Sequence, residues 1–491
     1  MKSDTVITFP YSYTMNKQPE LKRALGLTTA ILLVISSMIG SGVFKKIAPM
    51  SSTLMDSNLI LLAWLLAGII SMFGVFTYSG LASLTEEGGG QFEYFRIIYG
   101  RFFGFLFGWT CFTVIQSASI ASIAYVFSES VNNLAPFGSP FDSWANVHIG
   151  KFIFPFANSG VKLFAIATII ALTIINYFGV KKGGVINDIF SWGKIAGILF
   201  LIFAGFFLYH TKSDITTQNA QLIQAQDFNL ISGLFTAMLA AFWAYDGWVN
   251  LSYIGGEVKN PKRNIPIAII GGTAVVMIIY TLVNVVYLRV LPVQTFVDID
   301  AAKNKIAAAE VAQTILPGIG YTLISILIML STFGATNASL MSSPRIYHQM
   351  AKQKLFFKSF GETHPKYHTP HKSLLFQMIW SSVLVMSGTF DQLTDMLIFA
   401  SFIAYGSGAA GLLYMKMLGK KVINEEDGSI QRVKITAKVI GYPVIPIIFL
   451  LVAIGLVINT LITMPNESLT GLSFIAIGIP IYYIVKKQNA N

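Results

Sequence analysis

The residues able to do chemistry in this chain are few, and they lie in apolar surroundings. Ile39-Gly40-Ser41-Gly42-Val43-Phe44 breaks a stretch, Leu25 to Phe44, that contains no charged residue. In hydrocarbon an unpaired backbone N–H or C=O costs several kcal/mol, so such a break persists only where it lines a cavity or a binding site. The N–H groups of Ser41, Gly42 and Val43 would open a second half-helix, and its positive dipole end suits a carboxylate. The alternative for the glycines is close helix packing of the small-xxx-small kind, which needs a spacing of four where Gly40 and Gly42 are two apart. A second break falls at Phe242-Trp243-Ala244-Tyr245-Asp246-Gly247-Trp248. A carboxylate near the bilayer centre costs about 2.5–3.5 kcal/mol on insertion scales, so Asp246 must face a cavity or a partner. A third ionisable group, Lys194, lies inside the fifth span, away from its ends.

These residues need a membrane scaffold to hold them, and the composition supplies one. The chain has 491 residues, 54% hydrophobic and 12% charged, against about 25% charged in soluble domains. Apolar stretches long enough to cross roughly 30 Å of hydrocarbon occur near 25–52, 57–82, 102–128, 161–178, 189–209, 232–256, 266–290, 318–343, 373–389, 393–415, 441–463 and 468–485. Twelve spans are expected. Of the 34 Lys and Arg, 25 fall on the side of the termini and even-numbered connections and eight on the other, which places both termini in the cytoplasm. The net charge of +11 is then a topology signal, and no nucleic-acid function follows. A cleavable signal peptide fits poorly, because the first apolar stretch exceeds a signal core and eleven more spans follow. Cys111, the single cysteine, reads as a small packed residue. Corresponding breaks in the first and sixth spans point to a midplane site between inverted repeats. The expected division is a cytoplasmic segment 1–24, a first repeat 25–210, an external loop 211–231, a second repeat 232–415, a cytoplasmic loop 416–440, and two appended spans with a cytoplasmic tail, 441–491.

The two breaks, the sequel Gly256-Glu-Val-Lys-Asn-Pro-Lys-Arg-Asn-Ile-Pro266, Gly89-Gly-Gln-Phe-Glu-Tyr94, Ser331-Thr-Phe-Gly-Ala-Thr-Asn337, Ser343-Pro-Arg-Ile-Tyr347 and His364-Pro-Lys-Tyr367 together resemble the amino acid-polyamine-organocation superfamily. Within it they look most like the L-type amino acid transporters and their prokaryotic relatives. The resemblance spans nearly the whole chain. It implies an all-α polytopic LeuT-like fold of twelve helices, with a 5+5 inverted repeat and unwound helices 1 and 6, and sodium-independent amino acid transport. It further implies that the N–H groups of Ser41 and Gly42 bind the substrate carboxylate, and that carbonyls of Met38, Ile39, Trp243, Ala244 and Asp246 hold its ammonium. Acceptors at helix C-termini suit a cation on physical grounds as well.

Trp243 matches an aromatic gate position; an interfacial belt tryptophan is the other reading. Asp246 either contacts the substrate ammonium or a basic side chain, or caps the next half-helix. Lys194, in Asn187-Asp-Ile-Phe-Ser-Trp-Gly-Lys194, matches a fifth-span lysine that would approach the first break where sodium-coupled relatives bind their ion; snorkelling is its alternative. Lys45 and Lys46 stand where small or apolar residues are usual. At 1.5 Å per residue Lys45 lies about 5 Å along the second half-helix, so the two ammonium groups border the outer vestibule. They either pair with Asp246, disfavour cationic substrates, or reach external water. Glu129, Glu86 and Glu87 read as peripheral charges, Asn424–Gly428 as a solvated acidic loop, and the turn from Glu257 to Arg263 as an inner-gate candidate. His364, His368 and His371 invite a metal hypothesis, but they sit among Pro and Lys, and neither a metal nor a cofactor is expected.

The expectation is therefore an amino acid exchanger in the cell (inner) membrane, working by alternating access, with no enzymatic nucleophile–base set. A proton-coupled symporter, a carrier of polyamines or organic cations, and a nutrient sensor on the same fold are the alternatives. Asn132–Gly160 contains no cysteine, so no disulfide-linked heavy subunit is expected.

Overall fold

The computed structural model describes residues 7–9, 23–85, 88–148, 154–209, 230–302, 306–388, 390–424 and 430–489. Glu86, Glu87, most of the segment 1–24, nearly all of the loop 211–231 and most of Asn424–Gly428 lie outside the described residues. The first span runs Leu27–Met38, breaks, and resumes as Gly42–Lys45 and Ile47–Leu54. The second is Ser57–Leu81, the third Arg101–Leu134, the fourth Ser159–Tyr177 and the fifth Val180–Phe203. The sixth, Leu230–Tyr245, breaks and resumes as Asn250–Tyr253. Pro261–Val290, Gly320–Ser342, His371–Ser387, Phe390–Met417, Val444–Thr463 and Pro465–Gln488 follow at the positions of the expected seventh to twelfth spans, and the expected numbers are used for them below.

Among the described residues ten helices are long and apolar enough to cross a bilayer. The described part of the sixth, 16 residues ending just before Asp246 and Gly247, and the ninth, 17 residues, fall short. The helices form for familiar reasons. The Asp56 carboxylate accepts from Asn58 N at 2.6 Å and Leu59 N at 2.9 Å and so starts the second span. Many hydroxyls inside spans donate to the preceding turn, as Thr77 does to Phe73 O and Thr332 to Ile328 O, which gives their hydrogens an acceptor in an apolar setting. Leu451, Ile462 and Ile231 are among the large apolar side chains left exposed, as a lipid-facing surface requires.

The packing is reciprocal between spans 1–5 and 6–10. The first span packs on the seventh and the second on the sixth; the first on the fifth and the sixth on the tenth; the third on the tenth and the eighth on the fifth. The third also packs on the eighth, and the fourth on the ninth. One departure from an all-helical chain is a peripheral three-stranded sheet. Ile7–Phe9 runs parallel to Val422–Asn424, and Lys420–Asn424 pairs antiparallel with Ile430–Val433. It puts residues 7–9 on the same face as the connection between the tenth and eleventh spans.

Candidate functional site

The two breaks lie against each other. A methyl group on Gly42 would stand 2.6 Å from Ala244 Cα, and one on Gly247, at φ +104°, would stand 2.6 Å from Ser37 O. No larger residue fits either contact without moving backbone. Gly42 thus also has a packing role, at the crossing of the breaks and not in a helix pair of spacing four. Between the breaks is a cavity of about 10 Å3, room for about one water, lined by Ser37, Met38, Gly40, Ser41, Gly42, Ser119, Ile123, Trp243, Asp246, Gly247 and Asn250.

On one wall, the N–H groups of Ser41, Gly42 and Val43 make no backbone bond among the described residues, and Ser41 Oγ is buried without a partner. The other wall carries Trp243 and Asp246. The Asp246 carboxylate accepts from the Tyr405 hydroxyl at 2.5 Å. It does not cap the following half-helix, whose N-cap is Val249 and which receives no side-chain bond. Trp243 is buried over the cavity, with its indole N–H unpartnered and its ring edge-on to Phe390 at 6.1 Å. It does not lie in an interfacial belt.

The first break is braced from behind. Lys194 Nζ donates to Ile39 O at 2.8 Å, Ser331 O at 3.0 Å and Ser36 O at 3.2 Å. Its side chain is fully buried and turned inward, so it does not snorkel. The Ser331 hydroxyl lies 2.8 Å from Ile39 O and 3.1 Å from Gly40 O, and the Tyr280 hydroxyl 2.8 Å from Met38 O and 3.1 Å from Ala244 O. This crowds the expected ammonium site. A carbonyl accepts about two bonds; Ile39 O receives Lys194 and is approached by Ser331, which it shares with Gly40 O, and Met38 O receives Gly40 N and is approached by Tyr280, which it shares with Ala244 O. Of the expected acceptors, the Trp243 carbonyl and the Asp246 carboxylate are the ones that remain at the cavity wall with capacity.

Lys45 and Lys46 bring a correction, because neither pairs with Asp246. Successive helical residues project about 100° apart, which carries the two side chains to different neighbours. Lys45 Nζ meets Glu129 at 2.7 Å, and buried Lys46 meets Asp391 and the Thr394 hydroxyl at 3.0 Å, with Asp395 at 3.7 Å. Glu129, read as peripheral, is thus a partner of the broken span. Both ammonium groups also lie about 5 Å from the Phe390 ring centroid, at 4.9 and 4.8 Å. They border a vestibule of about 500 Å3 that opens away from the face carrying Leu25.

Toward the Leu25 face the site is covered. The Arg345 guanidinium meets the Glu257 carboxylate at 2.7 Å, both groups almost wholly buried. Glu257 O accepts from Ala24 N and Leu25 N, and Gln91 bridges Tyr78 and Tyr253. The gate expected of the Glu257 turn therefore has a partner, Arg345, in the segment Ser343–Tyr347. Tyr280, Ser331, Tyr405 and Phe390 carry no role that the sequence alone assigns. A tyrosine or serine in a span carries no periodicity to mark it, and only Ser331 fell within a quoted motif. His364 accepts from the backbone of Lys366 and Tyr367, and no cluster of three metal-ligating side chains occurs among the described residues.

Known proteins are similar to the chain over almost its whole length. The amino acid permease family matches residues 25–485. The serine/threonine exchanger SteT of Bacillus subtilis is 30% identical over 475 residues, 96% of this chain and 98% of that protein. The human b(0,+)-type amino acid transporter 1 is 26% identical, covering 95% of this chain and 89% of its own length. The human large neutral amino acids transporter small subunit 2 is 27% identical, covering 94% and 80%. The chain belongs to the amino acid permease family of the amino acid-polyamine-organocation superfamily, and it is a polytopic membrane protein.

Proposed function

We propose that this permease exchanges small polar amino acids across the membrane by alternating access, without sodium and without a cofactor. The observation that carries this reading is the pairing, across one cavity, of donors that make no backbone bond with acceptors that keep spare capacity: the Ser41 and Gly42 N–H groups on one break, the Asp246 carboxylate beside its bond from Tyr405 and the Trp243 carbonyl beside its bond from Asp246 N on the other. A zwitterion bridges them, carboxylate to the first and ammonium to the second. Ser37, Ser119 and Asn250 in the cavity wall supply polar partners suited to a short hydroxylated side chain, and the serine/threonine exchange for which SteT is named supports the same class. Trp243 acts as the gate over the substrate. Lys194 holds the first break in place of a bound cation, since its ammonium sits on the carbonyls that the break frees.

Spans 1–5 and 6–10 form the inverted repeats, a reading supported by their reciprocal packing. Twelve spans, with both termini cytoplasmic and the Leu25 face inward, agree with the distribution of Lys and Arg. The protein resides in the bacterial cell membrane and works without a disulfide-linked heavy subunit, since Asn132–Gly160 offers no cysteine. The test is counterflow in liposomes. Labelled L-serine should enter vesicles loaded with unlabelled L-serine whether or not sodium is present, and should not enter empty ones. Uptake into empty vesicles driven by an inward proton gradient would replace exchange with proton coupling. Counterflow of putrescine without that of serine would replace the substrate class.

A further inference from the structure

The vestibule is far larger than the cavity between the breaks, and its lining is unusual for a passage. Three cations, Lys45, Lys46 and Lys162, and three carboxylates, Glu129, Asp300 and Asp391, surround it, with Phe390 among them. Among the described residues the charges balance, three of each sign, and they stand in a lining that is otherwise largely apolar. The cations are not equivalent. Lys46 is 2% exposed and committed to Asp391 and Thr394. Lys162 Nζ is held by the carbonyl of Phe154 at 2.6 Å and approached by those of Pro155 and Met386 at 3.3 and 3.4 Å. Lys45 and Glu129, by contrast, pair in partial contact with solvent, at 17% and 22% exposure, where ion pairs are weak and easily exchanged.

We propose that Lys45 and Glu129 form an outer docking site for zwitterionic amino acids, distinct from the site between the breaks. The incoming carboxylate takes Lys45 and the incoming ammonium takes Glu129. The ligand thereby replaces one intramolecular ion pair with two intermolecular ones, and the vestibule charge stays balanced. A volume of about 500 Å3 is within the range of small-molecule sites, roughly 300–1,000 Å3. Phe390 links this site to the inner one, because its ring lies 4.9 Å from Lys45 Nζ and edge-on to Trp243. A ligand that draws Lys45 away therefore loosens one contact of the residue against which the gate packs. The same bipolar lining disfavours amino acids with a second net charge, since such a ligand leaves one partner unmatched.

This inference rests on the exchange reading, and the experiment separates the two. Oriented liposomes containing the wild-type protein are first assayed for L-serine counterflow; if there is none, the exchange reading fails and the docking site is not reached. With wild-type counterflow in hand, Lys45→Gln and Glu129→Gln are each compared with it, varying L-serine on one side at a time. The expected result is a rise of about tenfold in the KM for serine on the vestibule side, with the KM on the Leu25 side unchanged. Lys45→Arg should restore most of the loss, since it keeps the charge. Equal changes on both sides would mean that the pair serves only to support the fold, and no change on either side would mean that it is not a site; either result overturns the proposal.

Discussion

The two helix breaks share one cavity but are supported in opposite ways. In the first break, the carbonyls of Ser36, Ile39 and Gly40 are met by Lys194 and Ser331, side chains from the fifth and eighth spans. The sixth break has no such lysine: Tyr405 donates to Asp246, and Tyr280 reaches Ala244 O as well as Met38 O. Buried polar atoms without a partner, which cost about 1–3 kcal/mol each, occur in both, Ser37 and Ser41 Oγ in the first and the Trp243 and Tyr245 polar atoms in the sixth, so it is the Lys194 brace on several carbonyls that makes the first break the fixed half of the site and the sixth the half able to move. The fixed half would orient the carboxylate common to all amino acids. The movable half would close on whatever differs.

That contrast can be broken most directly at Lys194. Lys194→Ala leaves several buried carbonyls unmet, and serine counterflow should fall by about 100-fold or more, equivalent to nearly 3 kcal/mol; a variant with half the wild-type rate would end the idea of a braced first break. Gly42→Ala comes next. Its added methyl meets Ala244 backbone at 2.6 Å, and transport should drop roughly thirtyfold through strain of about 2 kcal/mol; near-normal transport would mean that the breaks can slide past each other. Asp246→Asn removes the carboxylate from the movable half and should raise the serine KM about tenfold, while an unchanged KM across serine, threonine and alanine would restrict Asp246 to its bond with Tyr405. The smallest effect is expected from Tyr405→Phe, a KM rise of about threefold, because the carboxylate stays and loses one of its donors. If Tyr405→Phe proved more damaging than Lys194→Ala, the assignment of fixed and movable halves would be reversed.

Much of this arrangement is written locally in the chain. Spans are legible because hydrocarbon enforces long apolar runs, and the breaks because Gly40, Gly42 and Asp246 violate that rule where nothing else explains them. Pairings are not local. Lys45 finds Glu129 84 residues away, and Glu257 finds Arg345 88 residues away; sequence marked Lys45 as unusual and the Glu257 turn as a gate, without naming either partner. Tyr280 and Tyr405 were invisible for another reason. A span tolerates tyrosine in a core, at an interface or on a carbonyl, and only the folded neighbours decide which. The crowding of the Met38 and Ile39 carbonyls was not legible either, because lone pairs exposed by a break are open to any donor, and only the fold shows which of the protein's own side chains approach them.

Tyr280 carries one further consequence. Its hydroxyl reaches Met38 O in the first break and Ala244 O in the sixth, yet a phenol has a single hydrogen to give. At any instant one of the two breaks goes without it. An ammonium that took the place of the phenol on the Ala244 carbonyl would release that hydrogen to Met38, and its departure would call it back. Occupancy of one half of the site would thereby be reported to the other by the turn of an O–H bond, before any helix has shifted.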